Sequence, residues 1–303
     1  MNQKCKLVKE EIKKVIRGKE KNIDLTLCAV LAGGHVLIED IPGVGKTTLA
    51  LALSKTLSLL YRRMQFTPDV MPSDILGFYM PDPVTKEFVF RKGAVFTNLF
   101  LADEINRTSP KTQSALLEVM EEGNVSVDGV TRTLEKPFFV IATQNPDKEL
   151  GTQKLPDSQL DRFLIKMSMG YPDHTSAVEI LLGQSSVAMD QVQEVLSREE
   201  LLQMQEKVQD VYVKEEMAEF IVRLVEATRE NEYITQGISP RGSLALLRMA
   251  KAHAFYENRD YVTPEDVKAV FYSVSNHRIV LNGKAKANGI DQEQMCEILL
   301  RNV

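Results

Sequence analysis

Cysteine is scarce in this chain. Cys5, Cys28 and Cys296 lie far apart and none belongs to a C-x-x-C pair, so neither a disulfide framework nor a zinc site is indicated and reduced thiols are expected. Long apolar runs are missing too. The longest, LTLCAVLAGG, is too short to cross a membrane, and the opening residues MNQKCKLVKEEIKKVIRGKEK are charged throughout, with no apolar stretch of signal-peptide type. A cytoplasmic location without membrane insertion is the expectation. Nor does positive charge dominate: 37 Lys+Arg against 42 Asp+Glu give a formal net charge of -5. That balance argues against a surface built mainly to neutralise phosphate backbones. No internal repeat or low-complexity tract is visible, and GKAKANG, residues 283–289, reads as a flexible basic loop.

What is present is enough apolar material for two packed domains, 44% of 303 residues. From about residue 20 to 170, short β-branched and aromatic runs (HVLIED, RRMQFT, NLFLADE, PFFVIATQNP, FLIKMSM) alternate with helical patterns. Such alternation predicts a parallel sheet covered by helices. After Tyr171-Pro172-Asp173 the strand signals stop and amphipathic helices follow one another: SREELLQMQEKVQDV, VKEEMAEFIVRLVEATREN, SPRGSLALLRMAKAHAFYENR and TPEDVKAVFYSVSNHRI. Ser197 with Glu200, and Thr263 with Pro264 and Asp266, mark two of their starts. The division expected is an α/β core over residues 1–172 and an all-α lid over 173–303.

The chemistry-bearing stretch is HVLIEDIPGVGKTTLALALS, residues 35–54. A phosphate-binding loop needs glycines so that successive N–H groups can point inward, a lysine for the β- and γ-phosphates, and a hydroxyl for magnesium. Pro42, Gly43, Val44, Gly45, Lys46, Thr47 and Thr48 supply them, between a strand at Val36–Glu39 and a helix from Thr47 to Leu57 whose positive end would face the anion. The strict GxxxxGK[ST] pattern also asks for glycine at position 40, where this chain has Asp40. Further along, NLFLADEINR ends a buried strand in Asp103 and Glu104, where ligands bind in open α/β sheets. Asp103 would hold magnesium with Thr47, and Glu104 would orient or deprotonate the attacking water. FFVIATQNP ends a third strand at Asn145, placed to reach the γ-phosphate and that water. LPDSQLDRF sets Arg162 before the last strand, and ISPRGSLALLRMA sets Arg241 in the first turn of a lid helix. Arginine is the residue type that stabilises charge on a transferring phosphoryl group. Read alone, each has a plainer alternative: a solvent-facing DE pair, an Asn-Pro turn, a surface ion pair.

Taken in order, PGVGKT, LADE, ATQNP, LDRF and SPR resemble the AAA+ ATPases. ADEINRTSPKTQSALLEVMEEG followed by LPDSQLDRFLIKMSMGYP is similar to the MoxR family, from about residue 16 to the end. The resemblance implies a P-loop NTPase of AAA+ type and a ring, a hexamer, using ATP and Mg2+. Lys46, Thr47, Asp103, Glu104 and Asn145 would come from one subunit and Arg162, as arginine finger, from its neighbour. Arg241 would be sensor 2, in cis or in trans. For Arg107 a helix-start role and a place at the subunit boundary stand equal. The resemblance also implies two insertions: a helix-2 insert in FTPDVMPSDILGFYMPDPVTKEFVF, with a hairpin ending in Phe88 and Phe90, and a pre-sensor-1 hairpin in VSVDGVTRTL. In the latter, Asp128-Gly129 fits a type I′ turn, pairing Val127 with Val130 and Ser126 with Thr131. With only Arg132 and Lys136 near its tip, that hairpin lacks the cations and stacking aromatics a DNA-tracking loop needs. A protein substrate is therefore expected rather than nucleic acid. The function implied is that of a chaperone or remodeller in maturation, activation or metal loading of partner complexes, in company with von Willebrand factor A domain proteins. A nucleotide-gated assembly scaffold and a nucleic-acid motor are the alternatives.

Overall fold

Five short runs form one parallel sheet: β1 (Val36–Glu39), β2 (Tyr61–Gln65), β3 (Leu99–Asp103), β4 (Phe139–Gln144) and β5 (Ile165–Met167), in the order β2-β3-β4-β1-β5, the inner three apolar on both faces and the edge strand β2 largely polar. The computed structural model describes residues 1–145, 153, 155–182 and 189–303; Pro146 of the ATQNP motif lies outside them. Period-2 alternation divides the core in two. Val36, Ile38, Leu99, Leu101, Phe139 and Ile141 join one apolar cluster with Leu53 of the helix Lys46–Thr56 and with Leu224, Leu246 and Val270 of the C-terminal half. Leu37, Phe100, Ala102, Val140 and Ala142 join the other, with Leu116, Leu117 and Phe163.

Because all five strands run the same way, the sheet has one edge of strand ends and one of strand starts. Asp40, Gln65, Asp103 and Asn145 lie at the former; His35, Asn98 and Leu164 lie at the latter. The helix Pro110–Glu122 connects them. It starts cleanly, with the Ser109 hydroxyl accepting from Thr112 N and proline in the first turn, and stops at Gly123, φ 65°. Gln113 Nε2 donates to Ile105 O at 3.1 Å, beside the strand ends. Two turns on, His35 Nε2 donates to Met120 O at 2.8 Å, beside the strand starts. Thirteen helical residues span about 20 Å at 1.5 Å each, so Glu121 lies across the sheet from Glu104.

The C-terminal half is built from the helices Arg198–Gln209, Glu215–Glu230, Pro240–Tyr256, Pro264–Ser275 and Gln292–Asn302, and both expected capping boxes form. Two details depart from an all-α lid with a flexible loop. Ile234–Gln236 pairs antiparallel with Val280–Leu281, pieces too short to show a period. GKAKA, residues 283–287, is a helical turn because the Asn282 side chain caps it at Lys284 N and Ala285 N. All three cysteines are buried and free, and among the described residues no helix is long and apolar enough to cross a membrane.

Both expected hairpins form. Val127 faces Val130 and Ser126 faces Thr131, with φ of 50° at Asp128 and 77° at Gly129, as a type I′ turn requires. Gly77–Pro81 pairs with Phe88–Lys92. The two hairpins share Arg132, whose Nη2 donates to Tyr79 Oη at 2.6 Å and whose guanidinium lies 3.8 Å from the Phe90 ring centroid.

Candidate functional site

The phosphate loop occupies the strand-end edge as a wide turn. Gly43 and Gly45 have φ of 87° and 94°, conformations open to glycine and strained for other residues. A β-carbon at Gly43 would meet nothing within 4 Å, so the loop is open where an anion would lie. Lys46 is buried, and its Nζ donates to Asp40 O at 2.7 Å. Burial lowers the Lys46 pKa, while the carboxylates of Asp103, Asp40 and Glu104 pull it back up.

Asp40, which breaks the strict loop pattern, is a structural tie. Its Oδ1 accepts from Ile41 N at 2.9 Å, and its Oδ2 from Ser168 Oγ at 2.9 Å and Gly170 N at 2.6 Å. The start of the loop is thereby fastened to the chain leaving β5. The backbone at position 40 does not adopt positive φ, so glycine is not required there.

Asp103 and Glu104 are linked through Thr143 of β4. The Thr143 hydroxyl donates to Asp103 Oδ1 at 2.6 Å and accepts from Glu104 N at 2.9 Å. Glu104 takes a left-handed φ of 58°, a conformation costing on the order of 1–3 kcal/mol outside glycine. There its side chain meets three donors: Asn145 Nδ2 at 3.3 Å on Oε1, and Arg107 Nη1 at 2.8 Å and Gln65 Nε2 at 3.4 Å on Oε2. Asn145 is buried, and its Oδ1 has no partner among the described residues, an acceptor able to take a hydrogen bond from a water lying against Glu104. Asp103 Oδ2 accepts from Arg63 Nε at 3.2 Å and Nη2 at 2.7 Å. Among the described residues no group of three His, Cys, Asp or Glu could cage a metal. The donor set of one hydroxyl (Thr47) and one carboxylate (Asp103) instead suits Mg2+, which keeps waters and shares phosphate oxygens.

Lys46, Thr47, Asp103, Glu104 and Asn145 thus come together at the strand ends, and Arg162 and Arg241 do not join them. Both lie at the strand-start side, on one carboxylate: Arg162 Nη2 is 3.2 Å from Glu121 Oε2, and Arg241 Nη2 donates to Glu121 Oε1 at 2.5 Å. The neighbouring Asp161 is bound to the C-terminal half, its Oδ2 accepting from Ser239 Oγ at 2.8 Å and its Oδ1 from Arg278 Nε at 2.6 Å. Arg278, 3% exposed, also donates to the carbonyls of Asp161, Phe163, Leu164 and Val274. Burial and the adjacent Arg278 push the His277 pKa well below its ordinary value, and its Nε2 lies between Arg278 Nη1 at 2.7 Å and Phe163 O at 3.1 Å.

The roles of Gln65, Arg63, Glu121, Asp161 and Arg278 were not visible in the sequence reading. Gln65 carried a usable signal, a polar residue ending a strand of the series. Arg278, inside SNHRIV, carried none.

Comparison with known proteins gives the family and the fold. Residues 35–165 match the ATPase family associated with various cellular activities (AAA), and residues 226–298 match the AAA lid domain. The chain is 45% identical to the Bacillus subtilis protein YeaC, covering 97% of this chain and 92% of that one. It is 39% identical to chaperone MoxR1 of Mycobacterium tuberculosis, covering 97% and 80%. It is 31% identical to protein MoxR of Methylorubrum extorquens, covering 89% and 86%. A crystal structure from Cytophaga hutchinsonii superposes with a TM-score of 0.91 at 42% identity, covering 99% of this chain and 94% of that one.

Proposed function

Because the chain belongs to the MoxR family of AAA+ ATPases, we propose that it hydrolyses ATP with Mg2+ in a site completed by a second copy of itself, and that the energy remodels a protein substrate. The observation that carries this reading is the separation of the site into two faces. Lys46, Asp103, Glu104 and Asn145 lie at the strand ends, while Arg162 and Arg241 meet on Glu121 at the strand starts. A chain cannot bring both faces to one phosphate; two chains packed face to face can, and a closed ring, a hexamer in this reading, satisfies every face.

Within the site, the Gly43–Gly45 amides and Lys46 bind the phosphates, and Thr47 and Asp103 hold the metal. Bound Mg2+ supplies neutralisation of charge on the β- and γ-oxygens. Glu104 takes the proton from a water that Asn145 orients, and the neighbour's Arg162 stabilises the charge leaving with the γ-phosphoryl group. Arg241, on the same carboxylate as Arg162, acts with it in trans. Arg107 bonds Glu104 directly and so acts on the base from within its own subunit.

A protein substrate fits the hairpins. Arg132, the one cation within the pre-sensor-1 hairpin, is spent on Tyr79 and Phe90, while Val84 and Phe88 are 87% and 71% exposed at the neighbouring tip. That surface suits apolar side chains and lacks what phosphate tracking needs. The relative named chaperone MoxR1 supports a chaperone role in maturing, activating or metal-loading partner complexes. A von Willebrand factor A domain protein is the partner class to test.

The test is Mg-dependent ATP turnover against protein concentration, with Glu104→Gln as blank. A per-subunit rate that rises with concentration, and recovery of activity when Arg162→Ala is mixed with Lys46→Ala, are expected. A mixture inactive at every ratio, in rings shown to contain both variants, refutes the shared site.

A further inference from the structure

Glu121 is the point on which two cations from different parts of the chain converge. Arg162 comes from the core segment before β5, Arg241 from the first turn of Pro240–Tyr256, and each takes one oxygen of the same carboxylate. Among the described residues neither guanidinium has another hydrogen-bond or ion-pair partner. Two like charges this close repel unless an anion lies between them, so Glu121 is what allows the pair to exist before a neighbour's phosphate arrives. The carboxylate is itself well held. It follows Met120, whose carbonyl accepts from the buried His35, and it precedes the Gly123 stop. On the other side, Asp161 pins Ser239 and Arg278, fixing the backbone of both arginine-bearing segments. Arg162 is half-buried, its side chain 29% exposed, while Glu121 and Arg241, at 35% and 43%, lie at the surface where a neighbouring molecule can reach them.

We propose that Glu121 is a positioning residue for hydrolysis: it gathers Arg162 and Arg241 into one two-armed anion receptor, presented ready-made to the phosphate bound by the adjacent subunit. Glu121 does not touch the nucleotide of its own chain, which lies across the sheet. Its substitution therefore damages the neighbour's turnover and spares its own subunit's binding. This rests on the shared-site reading above.

The experiment is Glu121→Gln, with Glu121→Asp as the conservative variant. Turnover of Glu121→Gln is expected to fall about ten- to a hundredfold, the scale of a misplaced catalytic group. Affinity for a fluorescent ATP analogue stays within twofold, roughly the noise of such a comparison. Glu121→Asp, which keeps the charge, recovers part of the rate. In mixtures with Lys46→Ala, whose arginine face is intact, Glu121→Gln recovers activity as Arg162→Ala does. Wild-type or faster turnover in Glu121→Gln overturns the proposal. So does failure to recover with Lys46→Ala while Arg162→Ala recovers. If Arg162→Ala also fails in verified mixed rings, the shared-site reading falls and Glu121 with it.

Discussion

Arg278→Ala tests whether the arginine-finger segment is held by the lid. Arg278 is 3% exposed and its five donors are used in full: Nε on Asp161 Oδ1, Nη1 on Leu164 O and Val274 O, Nη2 on Asp161 O and Phe163 O. Alanine removes this donor from Asp161 Oδ1 and from the carbonyls of Phe163, Leu164 and Val274, leaving only Ser239 Oγ on the carboxylate, in a largely buried space. Breaking a buried ion pair by removing one partner costs about 3–5 kcal/mol, against a total stability on the order of 5–15 kcal/mol. Arg278→Lys will not restore it, because three donors on one ammonium cannot span a carboxylate and carbonyls placed around a planar fork. The assay is urea unfolding of the two single variants, Arg278→Ala and Asp161→Asn, and of the double variant. The double should cost less than the sum of the singles by about 1–3 kcal/mol, the scale of coupling between residues in one network. A loss below about 1 kcal/mol for Arg278→Ala, the size of an ordinary surface change or little more, or strict additivity of the pair, refutes the lock.

The remaining predictions concern the loop, the base and one buried histidine. Asp40→Gly restores the strict loop pattern yet removes an acceptor for Ile41, Ser168 and Gly170; stability should drop by about 2 kcal/mol or more and ATP affinity should fall, and equal or tighter binding would show Asp40 to be incidental. Asn145→Ala should keep nucleotide affinity while turnover falls about a hundredfold, the scale of losing one donor to a reacting group; an unchanged rate in single-turnover assays removes Asn145 from the chemistry. Burial lowers the His35 pKa from 6.5 to about 4. Below pH 6.5 the unfolded chain takes up a proton that the folded chain refuses, so stability falls as pH drops from about 6.5 to about 4, by up to about 3 kcal/mol. That pH dependence should be absent from His35→Gln and so appear in the wild-type-minus-variant difference, and parallel pH profiles would contradict it.

The sheet and its strand-end chemistry were legible because each strand carries its own signal. A run such as NLFLADE, residues 98–104, is apolar on both faces and then abruptly charged, a break that marks the end of a buried strand. The hairpin at residues 124–133 was legible down to its register because Asp128-Gly129 accepts positive φ at both positions. What escaped were contacts between residues distant in sequence. Glu121 looks like any acidic residue ending an amphipathic helix until Arg162 and Arg241 are folded onto it, 41 and 120 positions away. Arg278 lies in a stretch with no turn, glycine or charge pattern, and its partners come from 117 positions earlier. The short pair of Ile234–Gln236 with Val280–Leu281 escaped for a related reason, since pieces of three and two residues hold no period.

The charged groups of the strand-end cluster pair largely with one another, and in the proposed mechanism the kinds of contact they make determine what nucleotide binding must undo. Asp103 faces Arg63 and Glu104 faces Arg107, so both carboxylates already have a counter-charge. Lys46 differs: its hydrogen bond goes to a carbonyl, Asp40 O, and burial lowers its pKa despite three nearby carboxylates. A desolvated ammonium on a neutral acceptor is the least satisfied charge in the cluster, and a phosphate improves its lot more than that of either arginine. Phosphate capture at Lys46 therefore requires no ion pair to break. In the proposed mechanism a metal at Asp103 would compete with Arg63, and Glu104 acting as a base would compete with Arg107. This order of cost, lysine first and the two acids after, would in that mechanism separate nucleotide binding from turnover within one site.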